Sequence, residues 1–230
     1  MTFTFSIRTA LKESWAIFRQ HPWYFVALSA VMLVLNIAGD TNDKRPWVFA
    51  VGIIAAIASV VGSYIWLSVS LAAADGKHEL LTFKTLRQHL PTVRNFFMIL
   101  GVGIMTAIFV ILGLVALIIP GIYIMVRLMF ANLAYVDRKG RVMQSLRYSW
   151  HLVKGDVFWT TLLTMFVSLG VIILGLVFFG VGMLIAYPVV MLLVAKLYRA
   201  LTLSHEEQAV VVQPEELEAP EEPTTEPVVV

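Results

Sequence analysis

The sequence predicts an all-α, polytopic membrane protein with six transmembrane helices arranged as three hairpins, each preceded by a cytoplasmic amphipathic helix. The first observation is that long apolar runs without charges alternate with short basic segments along roughly the first 200 residues. The second is that hydrophobic residues make up 59% of the 230-residue chain and charged residues only 14%, whereas soluble domains carry about 25% charged residues. Since about 20 apolar residues in a helix cross the bilayer core of roughly 30 Å, repeated runs of this length indicate a multi-pass protein.

Six segments have the length and composition of transmembrane helices. They cover residues 23–39, 47–74, 96–119, 122–136, 157–179 and 183–200. We place a break at Pro120 and Gly121, because Pro removes a backbone donor and Gly tolerates turn dihedrals. The uncharged stretch 157–195 is too long for one span, and Gly180 and Gly182 favour a turn within it. A five-span alternative, which would put the C-terminal tail outside the cell, stays open.

The basic residues predict the orientation. In the six-span arrangement, 14 basic side chains fall on one side of the membrane and only Lys44 and Arg45 on the other. Loops rich in Lys and Arg stay in the cytoplasm. We therefore expect a multi-pass protein of the cytoplasmic membrane with both its N- and C-termini in the cytoplasm.

Three segments on the basic side resemble one another, at about residues 8–21, 82–94 and 141–155. Each has apolar residues at positions i, i+4 and i+7, which lie on one face of a helix, and two basic residues seven positions apart. The basic pairs are Lys12 and Arg19, Arg87 and Arg94, and Arg147 and Lys154. Such helices can lie at the membrane surface with their cations near lipid phosphates. The pattern suggests an internal repeat of one amphipathic helix and one hairpin, although positive-inside bias and helical periodicity alone would also produce it.

The end of the chain differs from the rest in composition. Eight of the 15 acidic residues follow Ser204, so the first 204 residues hold 17 basic against 7 acidic side chains, a net charge of +10. Residues 204–230 also contain four Pro and show no sustained periodicity, which predicts a disordered acidic tail. Residues 1–203 are then expected to form a single transmembrane domain.

Arg127 is the one formal charge well inside a predicted span. Charges within the membrane are costly and often functional, so Arg127, with Tyr123 and Asn132 nearby in sequence, is a candidate contact for a phosphate or carboxylate of a lipid or solute. The alternative is structural: the guanidinium extends to the outer headgroups or braces neighbouring helices through backbone carbonyls. Both interpretations stay open at this stage.

No catalytic or metal-binding pattern stands out. The chain has no Cys, no pair of His at ligand spacing, and no Walker A, G-x-S-x-G or HExxH motif. Asp137 and Asp156 stand as isolated carboxylates. We therefore predict no metal, no cofactor and no enzymatic activity, and an intramembrane enzyme is the least favoured class. The expected partners are membrane lipids, above all anionic ones, and a membrane protein or a second copy of the chain, but not nucleic acid.

Two short sequence motifs carry a resemblance to a known family. They are PG-x-Y-x-x-x-R at residues 120–127 and S-W-x-L-x-K-G at residues 149–155. They resemble the YciC-like group of prokaryotic six-span membrane proteins, and are similar to the membrane domain attached to some glycerophosphodiester phosphodiesterases. The resemblance covers roughly residues 95–200 and, more weakly, 8–75. It implies an envelope- or lipid-related role in the cytoplasmic membrane, but not phosphodiesterase activity, since the soluble catalytic barrel has no counterpart here.

The leading functional hypothesis is a non-enzymatic membrane protein that contacts or organises lipids or envelope partners. The alternative is a small-solute transporter or channel, which Arg127, Pro188 and the repeat would suit. Transporters usually gather broken helices and polar groups near the middle of the membrane, and this chain has few such groups.

Overall fold

The computed structural model describes residues 5–39, 46–77, 90–138, 140–177 and 182–217. These residues form helices and short connections, without a strand among them. The helices are α1 (Ile7–Gln20), α2 (Pro22–Gly39), α3 (Pro46–Ala74), α4 (Val93–Ala116), α5 (Ile118–Leu128), α6 (Ala131–Arg138), α7 (Val142–Leu152), α8 (Asp156–Val177) and α9 (Met183–Leu217). The predicted all-α class is confirmed.

Five helical segments in this part of the chain are long and apolar enough to cross a membrane. They are Ala50–Ala74, Val93–Ala116, Ile118–Arg138, Asp156–Val177 and Met183–Glu206. A sixth is obtained if α1 and α2, which meet at 95°, count together as one broken span. In three of the five, at most 22% of the most apolar window is buried within the protein. So much exposed apolar surface fits a hydrocarbon environment rather than water.

The break before the fourth predicted span differs from the expected one. The chain turns at Leu117, which is extended (φ −168°, ψ 149°), and Pro120 lies in the first turn of α5 rather than between two helices. Pro is tolerated there because the first N–H groups of a helix have no intrahelical acceptor. The span predicted at 122–136 lies within the apolar segment Ile118–Arg138, in which a turn at Met129 and Phe130 separates α5 from α6. That turn points the fully buried Phe130 ring toward Tyr198 of α9, with 5.9 Å between ring centroids.

Two of the three predicted surface helices coincide with α1 and α7. Most of the third, residues 82–89, lies outside the described part of the chain, and its residues 90–92 are not helical. The buried positions of α1 and α7 correspond, each pair being 135 positions apart. The pairs are Ala10 and Ser145, Ser14 and Ser149, Ile17 and Leu152, and Phe18 and Val153. Both buried faces pack into the protein interior.

The last helix is longer than the sequence suggests. Helix α9 continues to Leu217, whereas the chain was expected to be disordered from residue 204. Residues 204–213 contain neither Pro nor Gly, and Glu206 forms an ion pair with Arg138 of α6 at 3.1 Å. These features allow the helix to extend beyond the apolar segment. Residues 218–230 lie outside the described part of the chain.

Glycines bring the chain into close contact at two turns between long helices. A Cβ atom on Gly113 of α4 would lie 2.9 Å from the Cα of Gly121 in α5, and one on Gly182 would lie 2.9 Å from the Cα of Gly175 in α8. Small residues are what allow membrane helices to approach this closely. The α4–α5 and α8–α9 pairs are therefore held by backbone contact.

We expect Gly113→Ala to lower the free energy of unfolding by about 1–3 kcal/mol, the usual cost of overpacking. The added methyl group would meet the backbone of Gly121, which cannot move aside as a flexible side chain can. Circular dichroism during titration of the detergent-solubilised protein with a denaturing surfactant would measure the loss.

The matched control is Gly103→Ala on the same helix. A Cβ atom there would meet nothing within 4 Å, and Ala is favoured over Gly in a helix by about 0.5–1 kcal/mol. Equal stabilities for the two variants would contradict the proposed backbone contact.

Candidate functional site

Arg127 of α5 is bonded to the end of α7. Its Nη1 donates a hydrogen bond to the carbonyl oxygen of Trp150 at 3.0 Å, and Ser149 Oγ donates one to the carbonyl oxygen of Arg127 at 2.8 Å. Trp150 lies in the last turn of α7, where carbonyls lack an intrahelical donor. Arg127 supplies that missing donor, so the two bonds fasten α5 to α7 in both directions.

Aromatic rings surround the guanidinium. Its Cζ lies 4.9 Å from the ring centroid of Tyr123 and 5.0 Å from that of Trp150. The two rings meet edge to face with 5.9 Å between centroids, and Phe158 of α8 packs against Tyr123 at 5.2 Å. Each cation–π contact contributes about 0.5–2 kcal/mol. Within the described residues, Arg127 forms no ion pair, so its charge is stabilised by rings and a carbonyl.

These contacts favour the bracing interpretation of Arg127 over the ligand-contact interpretation. The Nε atom is buried and has no acceptor among the described residues, and its burial keeps it from an incoming headgroup. The arrangement can hold two helices together.

Asn132 does not join Arg127 and Tyr123. It lies on α6 and lines a separate cavity of about 380 Å³ together with Val60, Ser63 and Leu67 of α3 and residues of α4. Its buried Oδ1 has no hydrogen-bond donor among the described residues. The structure thus assembles two of the three predicted site residues and adds Ser149 and Trp150. The motif that contains Ser149 and Trp150 could be recognised in the sequence, but its contact with α5 could not be predicted from it.

A second polar assembly, which sequence reasoning missed, is centred on Arg199 of α9. Its Nε lies 2.6 Å from Asp75 Oδ1 and its Nη1 lies 2.8 Å from Asp137 Oδ1, while Tyr198 donates to Asp137 Oδ2 at 3.0 Å. Asp75 follows α3 and Asp137 belongs to α6. Asp137 is therefore not the isolated carboxylate that its sequence context suggests. We call Asp75, Asp137, Tyr198 and Arg199 the Arg199 cluster.

Further contacts extend the polar end of the bundle beyond the Arg199 cluster. Arg138 donates to Tyr148 of α7 at 2.9 Å and to Glu206 at 3.1 Å. Burial, partly opposed by Arg138, raises the pKa of Tyr148 above its ordinary value, which keeps the phenol neutral. Lys196 of α9 forms an ion pair with Glu13 of α1. The segment of α9 from Lys196 to Glu206 thereby connects α1, α3, α6 and, through Arg138, α7.

The predicted membrane-surface cations contrast with these paired ones. All the described members are exposed, and none forms a salt bridge to a carboxylate in the described part of the chain. They are Lys12, Arg19, Arg94, Arg147 and Lys154. Arg87 lies outside the described residues. The basic residues thus divide into a set that joins helices and a set whose charge is free to face an external anion.

The comparisons do not assign the chain to a family. No family model matches it, and neither a curated protein nor a solved structure does. Within the described residues there is also no group of three or more His, Asp or Glu that could hold a metal ion. The functional interpretation consequently depends on the geometry described above.

We expect Arg127→Met to lower the free energy of unfolding by about 1–3 kcal/mol, the cost of leaving a buried polar group without a partner. The Met side chain would leave the Trp150 carbonyl without its donor and would remove the charge from the two rings. Surfactant-induced unfolding followed by circular dichroism would measure it. Arg127→Lys, which keeps a cationic donor, should lose less.

Lys154→Met is the control for removing a positive charge, because Lys154 is exposed and unpaired within the described residues. Its stability should stay within about 0.5 kcal/mol of the wild type, as for most surface substitutions. A loss as large as that of Arg127→Met would show that charge, and not the contact with α7, determines the effect.

Proposed function

We propose that this chain is a non-enzymatic, multi-pass protein of the cytoplasmic membrane that gathers anionic lipids at its cytoplasmic surface. The observation that carries the proposal is the pattern of unpaired cations on α1 and α7. Lys12 and Arg19 on or next to one helix correspond to Arg147 and Lys154 on or next to the other, again 135 positions apart. All four are exposed, whereas the cations of the Arg199 cluster and its neighbours are engaged by carboxylates.

Electrostatics makes anionic lipid the partner that fits this pattern. A Lys or Arg near an anionic leaflet contributes about 1 kcal/mol of attraction, and the effect extends about one Debye length, roughly 8–10 Å in physiological salt. An exposed cation with no internal partner keeps this attraction available. Trp15 of α1, whose side chain is 44% exposed, adds an amphipathic ring of the kind that concentrates at the level of headgroups.

The contacts at the polar end support six crossings with both termini on the cytoplasmic side. Lys196 and Arg199 of α9 contact Glu13, which precedes α2, and Asp75, which follows α3. Arg199 also contacts Asp137 near the end of α6. A chain that leaves and returns to one end in this way crosses an even number of times, with each pair of crossings forming a hairpin. Surface placement of α1 and α7 then follows from their attachment to that end.

We also propose that the chain is related to the YciC-like group. The two motifs that carry the resemblance contact each other: Tyr123 and Arg127 of the first contact Ser149 and Trp150 of the second. A contact between the two motifs gives a physical reason for them to occur in the same chain. An envelope- or lipid-related role is what this relationship would imply.

A small-solute transporter or channel is the second candidate. The cavity of about 380 Å³ beside Asn132, with a buried amide oxygen lacking a donor among the described residues, is the observation that favours it. The other described lining residues are mainly Val, Leu, Ile, Ala and Gly, which provide few polar groups for a solute. Lipid contact therefore explains more of the molecule.

The topology predicts which positions a membrane-impermeant maleimide can reach. The chain has no Cys, so single substitutions report cleanly. Thr41→Cys, between the first two predicted spans, should be labelled in intact cells, whereas Thr224→Cys in the tail should be labelled only after permeabilisation. Labelling of Thr224→Cys from outside intact cells would support five spans instead of six.

The lipid proposal predicts that discs cut by an amphipathic polymer from membranes of mixed phosphatidylglycerol and phosphatidylcholine are enriched in phosphatidylglycerol around the full chain. Neutralising three cations together, as Arg19→Gln, Arg147→Gln and Lys154→Gln, removes about 3 kcal/mol of attraction and should abolish most of the enrichment. Mass spectrometry of the extracted lipids measures the ratio.

The matched control neutralises two cations on the opposite predicted face, as Lys44→Gln and Arg45→Gln. Enrichment of phosphatidylglycerol should persist in that variant and should weaken in the wild type at high salt, because ions screen exposed charges. Wild-type discs with the bulk lipid ratio, or equal enrichment in the triple variant, would contradict the proposal.

A further inference from the structure

An apolar groove of about 850 Å³ lies between α1, α8 and α9. Its volume is within the range of about 300–1,000 Å³ typical of ligand-binding pockets. The lining is almost entirely hydrophobic, and Lys12 is its one charged residue among those described. The apolar side chains that matter below are Leu11, Trp15, Val171, Leu174, Ile185 and Val189.

The helices that form this groove are joined to one another at both of its ends. At one end, α8 and α9 are in backbone contact through Gly175 and Gly182. Near the other, the ion pair between Glu13 and Lys196 attaches α1 to α9, and Ile17 of α1 belongs to the same buried cluster as Val189. These contacts join α1, α8 and α9 around the groove.

The charge at the groove has no counterion within the described protein. Lys12 is exposed and forms no salt bridge there, and its neighbour Glu13 is already paired with Lys196. A ligand that fills the groove would thus meet a long apolar wall and one cation. Trp15, on the same helix and in the same lining, provides the amphipathic ring that lies at the boundary between hydrocarbon and headgroups.

We propose that the groove is a binding site for one anionic phospholipid, with an acyl chain along α8 and α9 and the phosphate at Lys12. The inference rests on the proposed function, since it requires α8 and α9 to be in the membrane and α1 to be at its surface. Leu174 is 63% exposed and Ile185 is 37% exposed, so the groove is open on the side of the apolar helix faces, where bilayer lipid can enter.

The proposal predicts a lipid that stays with the purified protein. Native mass spectrometry of the full chain in detergent, with added phosphatidylglycerol or phosphatidylcholine of identical acyl chains, should detect one retained lipid. Phosphatidylglycerol should be held about fivefold more tightly, as one charge contact of about 1 kcal/mol implies. Lys12→Ala should remove that preference, while both lipids are still retained through their acyl chains. Lys44→Ala, which removes a positive charge on the opposite predicted face, should behave as the wild type.

A second variant tests the apolar part of the site. Ile185→Trp places a larger side chain in the groove from a position that is partly exposed, so the fold should tolerate it, and circular dichroism checks this. Retention of both lipids should fall. Unchanged phosphatidylglycerol retention in Lys12→Ala would overturn the charge contact, and unchanged retention in Ile185→Trp would overturn the groove as the site.

The outcomes separate this inference from the broader proposal. One outcome would contradict only the groove as a binding site: phosphatidylglycerol is enriched in the polymer discs, but lipid retention is unchanged by the substitutions at Lys12 and Ile185. A retained lipid that depends on both residues, together with discs of bulk composition, would contradict general lipid gathering while supporting the single site.

Discussion

The contact of Arg199 with Asp75 and Asp137 is the constraint on which the rest of the arrangement depends. Between helices in lipid there is no hydrophobic driving force, so polar contacts and close packing must hold a bundle together. Arg199 joins the end of α3, the end of α6 and α9, and the adjoining pairs of Lys196 with Glu13 and Arg138 with Glu206 add α1 and a second contact to α6. The positions of these charged residues along α9 thus determine which ends of α1, α3 and α6 lie close together.

The pairing of acidic side chains also affects the surface. Glu13, Asp75, Asp137 and Glu206 are paired with basic side chains of α6 and α9, whereas the predicted membrane-surface cations of α1 and α7 have no such partner in the described part of the chain. The proposed attraction to anionic lipid is therefore a consequence of which cations the carboxylates engage, and not of net charge alone. The same division explains why Lys12 can present its ammonium group at a groove although Glu13 is adjacent to it.

Much of the fold could be predicted from the sequence because apolar length and helical periodicity are local properties. The helical class, the apolar segments and the positions of α1 and α7 follow from them. The turn at Met129 and Phe130 and the extension of α9 to Leu217 did not, since both accompany contacts with residues distant in sequence, Tyr198 and Arg138. For the same reason, Arg127 could be singled out as unusual, but its partners Ser149 and Trp150 could not be named, and the role of Asp137 was missed.

Ser14 and Ser149 occupy corresponding places in α1 and α7, and both are fully buried. Ser14 Oγ donates a hydrogen bond to the carbonyl oxygen of Ala10 within its own helix, whereas Ser149 Oγ donates one to the carbonyl oxygen of Arg127 in another helix. Two helices with the same pattern of buried positions can therefore make different attachments. Which carbonyl lies within reach of the buried hydroxyl decides whether the serine closes a bond inside its own helix or links two helices together.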